Sequence, residues 1–72
     1  MKPGSCSVVI PVYNGADTLL PLVEKLQQVL PALFQEYEIL LVNDGSPDKS
    51  WQVIQGLYNQ DPDHIIGINL MR

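Results

Sequence analysis

Residues 39–48 read ILLVNDGSPD. Four apolar residues lead directly into a polar turn, which is typical of a buried strand that ends at the edge of a parallel sheet. Behind the turn, Ser46 is a good helix N-cap, Pro47 suits the first helical position and Asp48 favours the positive end of a helix dipole. The stretch therefore predicts a strand over residues 38–43, a short turn, and a helix that begins near Ser46.

The chain before this stretch contains an earlier strand and turn. Residues 7–13, SVVIPVY, are apolar and rich in β-branched side chains, so they predict a strand. Regular pairing should end or loosen at Pro11, because proline has no N–H to donate to a neighbouring strand. NGAD at residues 14–17 predicts a turn in which Gly15 takes a positive φ.

Apolar residues at helical spacing predict one helix after each strand. Asp17 or Thr18 can cap the first helix, and Pro31 should end or kink it near Leu30, because proline disfavours helical geometry in the residue before it. We interpret its apolar stripe as core packing: Leu19, Leu22, Val23, Leu26, Val29, Leu30 and Leu33. The expected buried face of the second helix consists of Trp51, Ile54, Leu57 and Tyr58.

Residues 64–70, HIIGINL, predict a third strand. The order β-α-β-α-β with short connections predicts an α/β fold with a parallel sheet and right-handed crossovers. In the strand order 3-2-1, both helices lie on one face and the other face is bare. Because the strands carry apolar side chains on both faces, we expect residues 1–72 to be an incomplete part of one larger domain, with no second domain. Such a unit should self-associate through the uncovered face or stay partly molten.

Composition narrows the possible functions. The 72 residues carry a net charge of −4, which argues against a nucleic-acid or anionic membrane surface. A single cysteine, Cys6, excludes an internal disulfide and fits a reducing, cytoplasmic compartment; we interpret it as a small packing residue. We recognise no signal peptide, and no apolar run approaches the ~20 residues that a membrane helix needs.

The carboxyl ends of the first two strands carry candidate ligand groups. Ligands of open α/β sheets bind beyond these ends, where Tyr13 and Asn14 should lie beside Asp44 and Gly45. The aromatic ring can stack on a nucleobase, and the carboxylate can accept a hydrogen bond from a base or ribose. Gly45 lets a ligand approach the backbone, and the helix that follows can lend its N–H dipoles. Equally, Asp44 and Gly45 are consistent with a simple turn, and Tyr13 with an ordinary aromatic at a strand end.

Other kinds of site lack their motifs. The chain has no G-x-G-x-x-G, no G-x-x-x-x-G-K-[ST] and no serine nucleophile elbow. His64 has no second histidine, cysteine or paired carboxylate at metal-ligand spacing, so we interpret it as a loop or rim residue. We therefore predict no catalytic residue and no metal ligand within this chain.

Two stretches together resemble the start of a family-two glycosyltransferase with the GT-A fold: SVVIPVYNGADTL at residues 7–19 and YEILLVNDGSPDKSWQVI at residues 37–54. HIIGINLMR at residues 64–72 further resembles the third strand of the branch that charges dolichyl or undecaprenyl phosphate with sugars. The resemblance implies the Rossmann-like, nucleotide-binding first half of a GT-A domain.

The resemblance also implies roles for individual residues. Tyr13 matches the position that packs on the base of the donor, Pro11 matches a strand-end position near it, and Asp44 matches the carboxylate that bonds the base. Two positions depart from the pattern. Asn43 stands where many members carry another Asp, and Gly15 stands where the lipid-phosphate branch often has Glu.

The parent enzyme implied by the resemblance transfers a sugar from a nucleotide-diphosphate-sugar to a polyprenyl phosphate or to a glycan acceptor, at the cytoplasmic side of a membrane. A divalent metal, Mg or Mn, would neutralise the leaving diphosphate, with its ligands beyond Arg72. We therefore expect the 72-residue chain alone to be inactive. Two alternatives remain at this point: a non-catalytic α/β interaction module that is complete as it stands, and a different nucleotide-binding α/β enzyme.

Overall fold

The computed structural model describes residues 4–70, and within them the predicted β-α-β-α-β order is confirmed. Met71 and Arg72, which end the stretch compared above, lie outside the described residues. The elements, in chain order, are β1 (Ser5–Val12), α1 (Leu19–Leu33), β2 (Glu36–Asp44), α2 (Ser50–Gln60) and β3 (Ile65–Leu70).

The three strands form one parallel sheet with β2 in the middle. The order β1-β2-β3 is the predicted 3-2-1 arrangement viewed from the opposite edge. Val8 of β1 is paired with Ile39 of β2, which is paired with Ile65 of β3. This register aligns the carboxyl ends of all three strands at one edge of the sheet.

Both helices cover the same face of the sheet, as the topology predicts. One core cluster joins the two helices to alternate residues of the strands: Val12, Leu19, Val23, Leu30, Ile39, Leu41, Ile54, Leu57 and Ile65. The intervening strand residues point to the other face, where the Val9 side chain is 61% exposed and Ile66 and Ile68 are also exposed. The structure thus has one covered sheet face and one apolar face without a covering layer.

Pro11 does not interrupt the sheet, so that prediction was wrong. Pro11 is paired in register with Val42, and the pairing continues to Val12 and Asn43. β1 is an outer strand of the described sheet, and proline is compatible with such a strand when its nitrogen faces away from the neighbour.

Of the two outcomes predicted at Leu30, the end of α1 was wrong, and a kink there stays a prediction. α1 passes through Pro31 to Leu33, and the N–H of Phe34 donates to the carbonyl of Leu30 at 2.9 Å. Because Pro31 lies in the last turn, it removes only its own donor from the helix. Of the predicted stripe, Leu19, Val23 and Leu30 are buried and Leu26 is half-buried, whereas Leu22, Val29 and Leu33 are exposed. A three-stranded sheet is too narrow a platform to cover the whole stripe.

α2 begins at Ser50, with Lys49 as its cap residue, rather than near Ser46. Its predicted inner face is confirmed at Ile54 and Leu57, which are buried, and Trp51 is half-buried. The prediction failed at Tyr58, whose side chain is 47% exposed.

Cys6 is half-buried and packs against the core, which confirms its interpretation as a packing residue. Neither helix within residues 4–70 combines the length and apolarity that crossing a membrane requires.

Candidate functional site

Tyr13 and Asp44 lie at adjoining strand ends. The register pairs Val12 with Asn43, so Tyr13 directly follows one paired residue and Asp44 the other. The Tyr13 side chain is 63% exposed and Asp44 is half-exposed. Both predicted side chains are therefore at the carboxyl-end edge of the sheet, and neither is buried in the core.

A cavity of about 170 Å³ lies between the end of β1 and the start of α1. Three predicted site residues border it, namely Pro11, Tyr13 and Asn14, and residues from the first turn of α1 complete the wall. Asp44 and Gly45 do not line this cavity; Asp44 is the last residue of the neighbouring strand, β2, and Gly45 follows it. The structure thus gathers three of the five predicted residues around one cavity and places the other two beside it.

Two residues at these strand ends have a positive φ. They are Asn14, with φ 53°, and Gly45, with φ 67°. The prediction that Gly15 would take the positive φ was wrong, and Asn14 does so instead. Asparagine is one of the few residues other than glycine that adopt this region readily, because its short side chain is tolerated there.

Side chains of the β2–α2 loop and of the first residue of α2 bind the backbone of the β1–α1 turn. The Ser46 hydroxyl accepts a hydrogen bond from the Asn14 N–H at 3.2 Å and donates to the carbonyl of Val12 at 3.2 Å. The Ser50 hydroxyl accepts from the Gly15 N–H at 2.9 Å. These bonds join the two loops that carry the candidate ligand groups.

Asp48 completes this set of contacts. Its Oδ2 accepts a hydrogen bond from the Ala16 N–H at 3.2 Å, and its Oδ1 accepts from the Ser50 hydroxyl at 2.5 Å and from the Ser50 N–H at 3.0 Å. We refer to Ser46, Asp48 and Ser50 as the loop clasp. The sequence analysis missed it, although serine and aspartate side chains that follow a strand end are a recognised source of bonds to nearby backbone.

The loop clasp explains why the prediction of a helix start near Ser46 was wrong. Ser46 binds the neighbouring turn instead of capping a helix at that point, whereas Asp48 binds both that turn and the first N–H of α2. The first N–H of α2 is already bound by Asp48, so this helix start does not offer that N–H group to a ligand as expected. The hydrogen bond from the Ser50 hydroxyl, with those from backbone N–H groups, holds the pKa of Asp48 below its usual value against the opposing effect of desolvation.

A buried amide lies behind Asp44, on the face covered by the helices. The Asn43 side chain is only 4% exposed, and its Nδ2 donates to Oδ1 of Asn69 at 2.9 Å. Within residues 4–70, no hydrogen-bond donor reaches Oδ1 of Asn43. β2 and β3 pair Asn43 with Asn69, so a polar residue near the end of each predicted strand was the available signal for this contact.

His64 lies at the opposite edge of the sheet. Its Nδ1 is 2.8 Å from Oδ1 of Asp61, and its ring stacks on Tyr37 with ring centroids 4.1 Å apart. Burial, with a smaller effect of the Asp61 charge, raises the pKa of Tyr37. Since His64 immediately precedes β3, it is a rim residue, as predicted, and is remote from the candidate site.

The resemblance implies a divalent metal, but the residues that the structure describes provide no set of ligands for it. Residues 4–70 contain no group of three histidine, cysteine, aspartate or glutamate side chains arranged to hold a metal ion. These residues therefore do not fit the metal, and no step of a reaction is assigned to it here.

The fold and its polar loops define an open parallel α/β unit whose candidate site lies at the carboxyl ends of the strands. The chain belongs to glycosyl transferase family 2, whose family model matches residues 7–70. This assignment confirms the resemblance drawn from the sequence and decides against an unrelated nucleotide-binding α/β enzyme.

The chain is also similar to individual members of the family. It is 46% identical over 66 residues, 92% of its length, to an undecaprenyl-phosphate 4-deoxy-4-formamido-L-arabinose transferase of Photorhabdus laumondii. It is 42% identical over 71 residues, 99% of its length, to the protein of the same name in Proteus mirabilis. The matched regions are 20% and 22% of those two proteins, so the chain spans about a fifth of the length of these curated relatives.

Proposed function

We propose that this chain forms part of the donor site of an enzyme that transfers a sugar from a nucleotide-diphosphate-sugar to a polyprenyl phosphate. The observation that carries the proposal is the placement of Tyr13 and Asp44 at adjoining, paired strand ends. Family membership supports glycosyl transfer as the class of reaction.

The side chains at this edge suit the nucleoside end of the donor. The exposed ring of Tyr13 offers a flat face for stacking on a base, and the carboxylate of Asp44 is an acceptor for the hydrogen-bond donors of a base or ribose. Gly45 has no side chain to obstruct a ligand that approaches the backbone. Pro11 and Asn14 contribute to the wall of the adjacent cavity.

The names of the relatives support the acceptor. They describe transfer of 4-deoxy-4-formamido-L-arabinose with undecaprenyl phosphate, so a polyprenyl phosphate is our first proposal for this protein too. A glycan acceptor is the second. Because a prenyl chain resides in a membrane, we place the reaction at a membrane surface, on its cytoplasmic side.

The 72-residue chain alone should not catalyse transfer. Our proposal places the ligands of a Mg or Mn ion, which would neutralise the leaving diphosphate, in another part of the protein. The test is to incubate the chain with a nucleotide-diphosphate-sugar, divalent metal and a polyprenyl phosphate. Turnover by the chain alone would overturn this part of the proposal.

The donor site itself is tested by nucleotide titration. We would titrate the chain with uridine and guanosine diphosphate and follow the NMR signals of Tyr13 and Asp44. Asp44→Ala should abolish binding, because the replacement removes the acceptor for the base. Asp63→Ala is the matched control, since Asp63 is an exposed acid at the opposite edge of the sheet. Unchanged affinity in Asp44→Ala would show that the base contact is assigned wrongly.

A further inference from the structure

We infer that the loop clasp (Ser46, Asp48 and Ser50) positions Tyr13 for donor binding without touching the donor. This inference rests on the proposed function and deepens it. The hydroxyl groups of Ser46 and Ser50 and both carboxylate oxygens of Asp48 are occupied by hydrogen bonds to backbone groups and to one another. Their effect on a ligand must therefore act through the backbone of the β1–α1 turn.

Ser46 brackets Tyr13 on both sides. Its hydroxyl bonds the carbonyl of Val12, the residue before Tyr13, and the N–H of Asn14, the residue after it. The ring of Tyr13 is mostly exposed and is absent from the core cluster. Its position is therefore set by the backbone on either side, which a single hydroxyl group holds.

Asn14 makes this restraint more important. Its φ of 53° lies in the left-handed region, which asparagine adopts more readily than most residues other than glycine but less commonly than the right-handed region. The hydrogen bond from its N–H to Ser46 and the bond from the next N–H, of Gly15, to Ser50 are the contacts that hold it. Losing them should let the turn relax and carry the Tyr13 ring away from Asp44.

The hydrogen bond between Ser50 and Asp48 fixes the direction in which the Ser50 hydroxyl donates its proton. The serine hydroxyl has one proton, which it donates to Oδ1 of Asp48, and this leaves its lone pairs free to accept the Gly15 N–H. Oδ2 of the same carboxylate accepts the Ala16 N–H. Ser50 is fully buried, so bulk water cannot replace its bonds. Both carboxylate oxygens are required, and an amide at position 48 would supply only one acceptor.

The test compares Ser46→Ala and Asp48→Asn with Asp17→Asn. Asp17 lies in the same turn, is exposed, and makes no hydrogen bond with another described residue, so Asp17→Asn controls for the loss of one negative charge. Ser46→Thr retains the hydroxyl and is the rescue variant. Each variant is titrated with uridine diphosphate and guanosine diphosphate, and the amide signals of residues 14–16 are recorded in the free protein.

We expect Ser46→Ala and Asp48→Asn to weaken nucleotide binding about tenfold and to shift the amide signals of residues 14–16. Ser46→Thr and Asp17→Asn should bind like the unmodified chain. A clasp that only supported folding would lower the melting temperature in Ser46→Ala without changing the affinity of the folded protein, and that result overturns the inference. If Asp48→Asn does not fold, the affinity of Ser46→Ala tests the inference alone. Ser46 is only half-buried, so we expect this variant to fold.

The two proposals fail in different ways. If the unmodified chain binds neither nucleotide, the donor-site assignment fails, and the positioning role fails with it. If the unmodified chain binds and both clasp variants bind equally well, only the positioning role fails.

Discussion

Gly67 of β3 lies so close to α2 that a Cβ atom at this position would be 2.7 Å from Cγ2 of Ile54. Ile54 is fully buried, and the same Cβ would also be 3.4 Å from the ring of Trp51. The approach of the second helix to the third strand therefore depends on the absence of a side chain at position 67. This contact lies on the covered face of the sheet, behind the candidate site.

Gly67→Ala should destabilise the chain by about 1–3 kcal/mol, because an added methyl group forces Ile54 or the helix to move in a packed core. Chemical denaturation followed by Trp51 fluorescence measures the change. Gly56→Ala is the matched control, since a Cβ there meets nothing within 4 Å. That replacement lies inside α2 and should stabilise the chain by up to ~1 kcal/mol through helix propensity. Equal stability of the two variants would contradict the packing argument.

Asn69→Ala should destabilise the chain by about 1 kcal/mol. The replacement leaves Nδ2 of Asn43 without its acceptor in a site where the Asn43 side chain is almost fully buried. Asn59→Ala, on the exposed surface of α2, is the control and should change stability by much less. The measurement is the free energy of unfolding of each variant. A decrease in Asn59→Ala as large as that in Asn69→Ala would contradict the prediction.

The stability of the chain should fall in acid partly through Asp48. Hydrogen bonding lowers the pKa of this carboxyl in the folded state below the value of 3.8 expected for the unfolded chain. A lowered folded-state pKa contributes stability that is present above pH ~4 and is lost as the pH falls through the folded-state value. Melting temperatures of the unmodified chain and Asp48→Asn should therefore converge below pH ~4. A constant difference across that range would show that ionised Asp48 contributes nothing.

The apolar sheet face should make the isolated chain self-associate. Val9→Lys places a charge on this face at a side chain that is already 61% exposed, and it should reduce both association and binding of an apolar dye. Leu33→Lys is the control, because Leu33 is 52% exposed but lies at the end of α1. Sedimentation velocity over a range of concentrations measures the effect.

Two results would contradict this prediction. A monomeric unmodified chain with a cooperative melt would favour the alternative of an interaction module that is complete as it stands. Equal association of Val9→Lys and the unmodified chain would place the contact on another surface.

The architecture was predictable because each element has a local signal. Apolar β-branched runs identified the strands, periodic leucines identified α1, and short connections left a parallel sheet with both helices on one face. Two prolines led to wrong predictions of where β1 and α1 end. Pro11 and Pro31 carry real restrictions, but an outer strand and a last helical turn tolerate them, and neither location can be known before the sheet is assembled.

The candidate site was predictable only in part, for a different reason. Tyr13 follows β1 and Asp44 ends β2, so their placement comes from the topology. The roles of Ser46 and Asp48 depend on a loop 32 residues away in sequence, and at the local level the same residues fit a helix start equally well. For Ser46, long-range bonds of this kind outweighed a local capping preference. α2 begins at Ser50 and not near Ser46, where the local signals had placed it.

The loop clasp also determines what this edge of the sheet can offer to the charged part of a nucleotide. Consecutive N–H groups in a turn with a left-handed residue usually form a concave nest that attracts anions. Here the N–H groups of Asn14, Gly15 and Ala16 already point at oxygen atoms of the protein, one of them a carboxylate. If a nucleotide binds at this edge as proposed, its diphosphate must therefore be neutralised by groups other than these three amides.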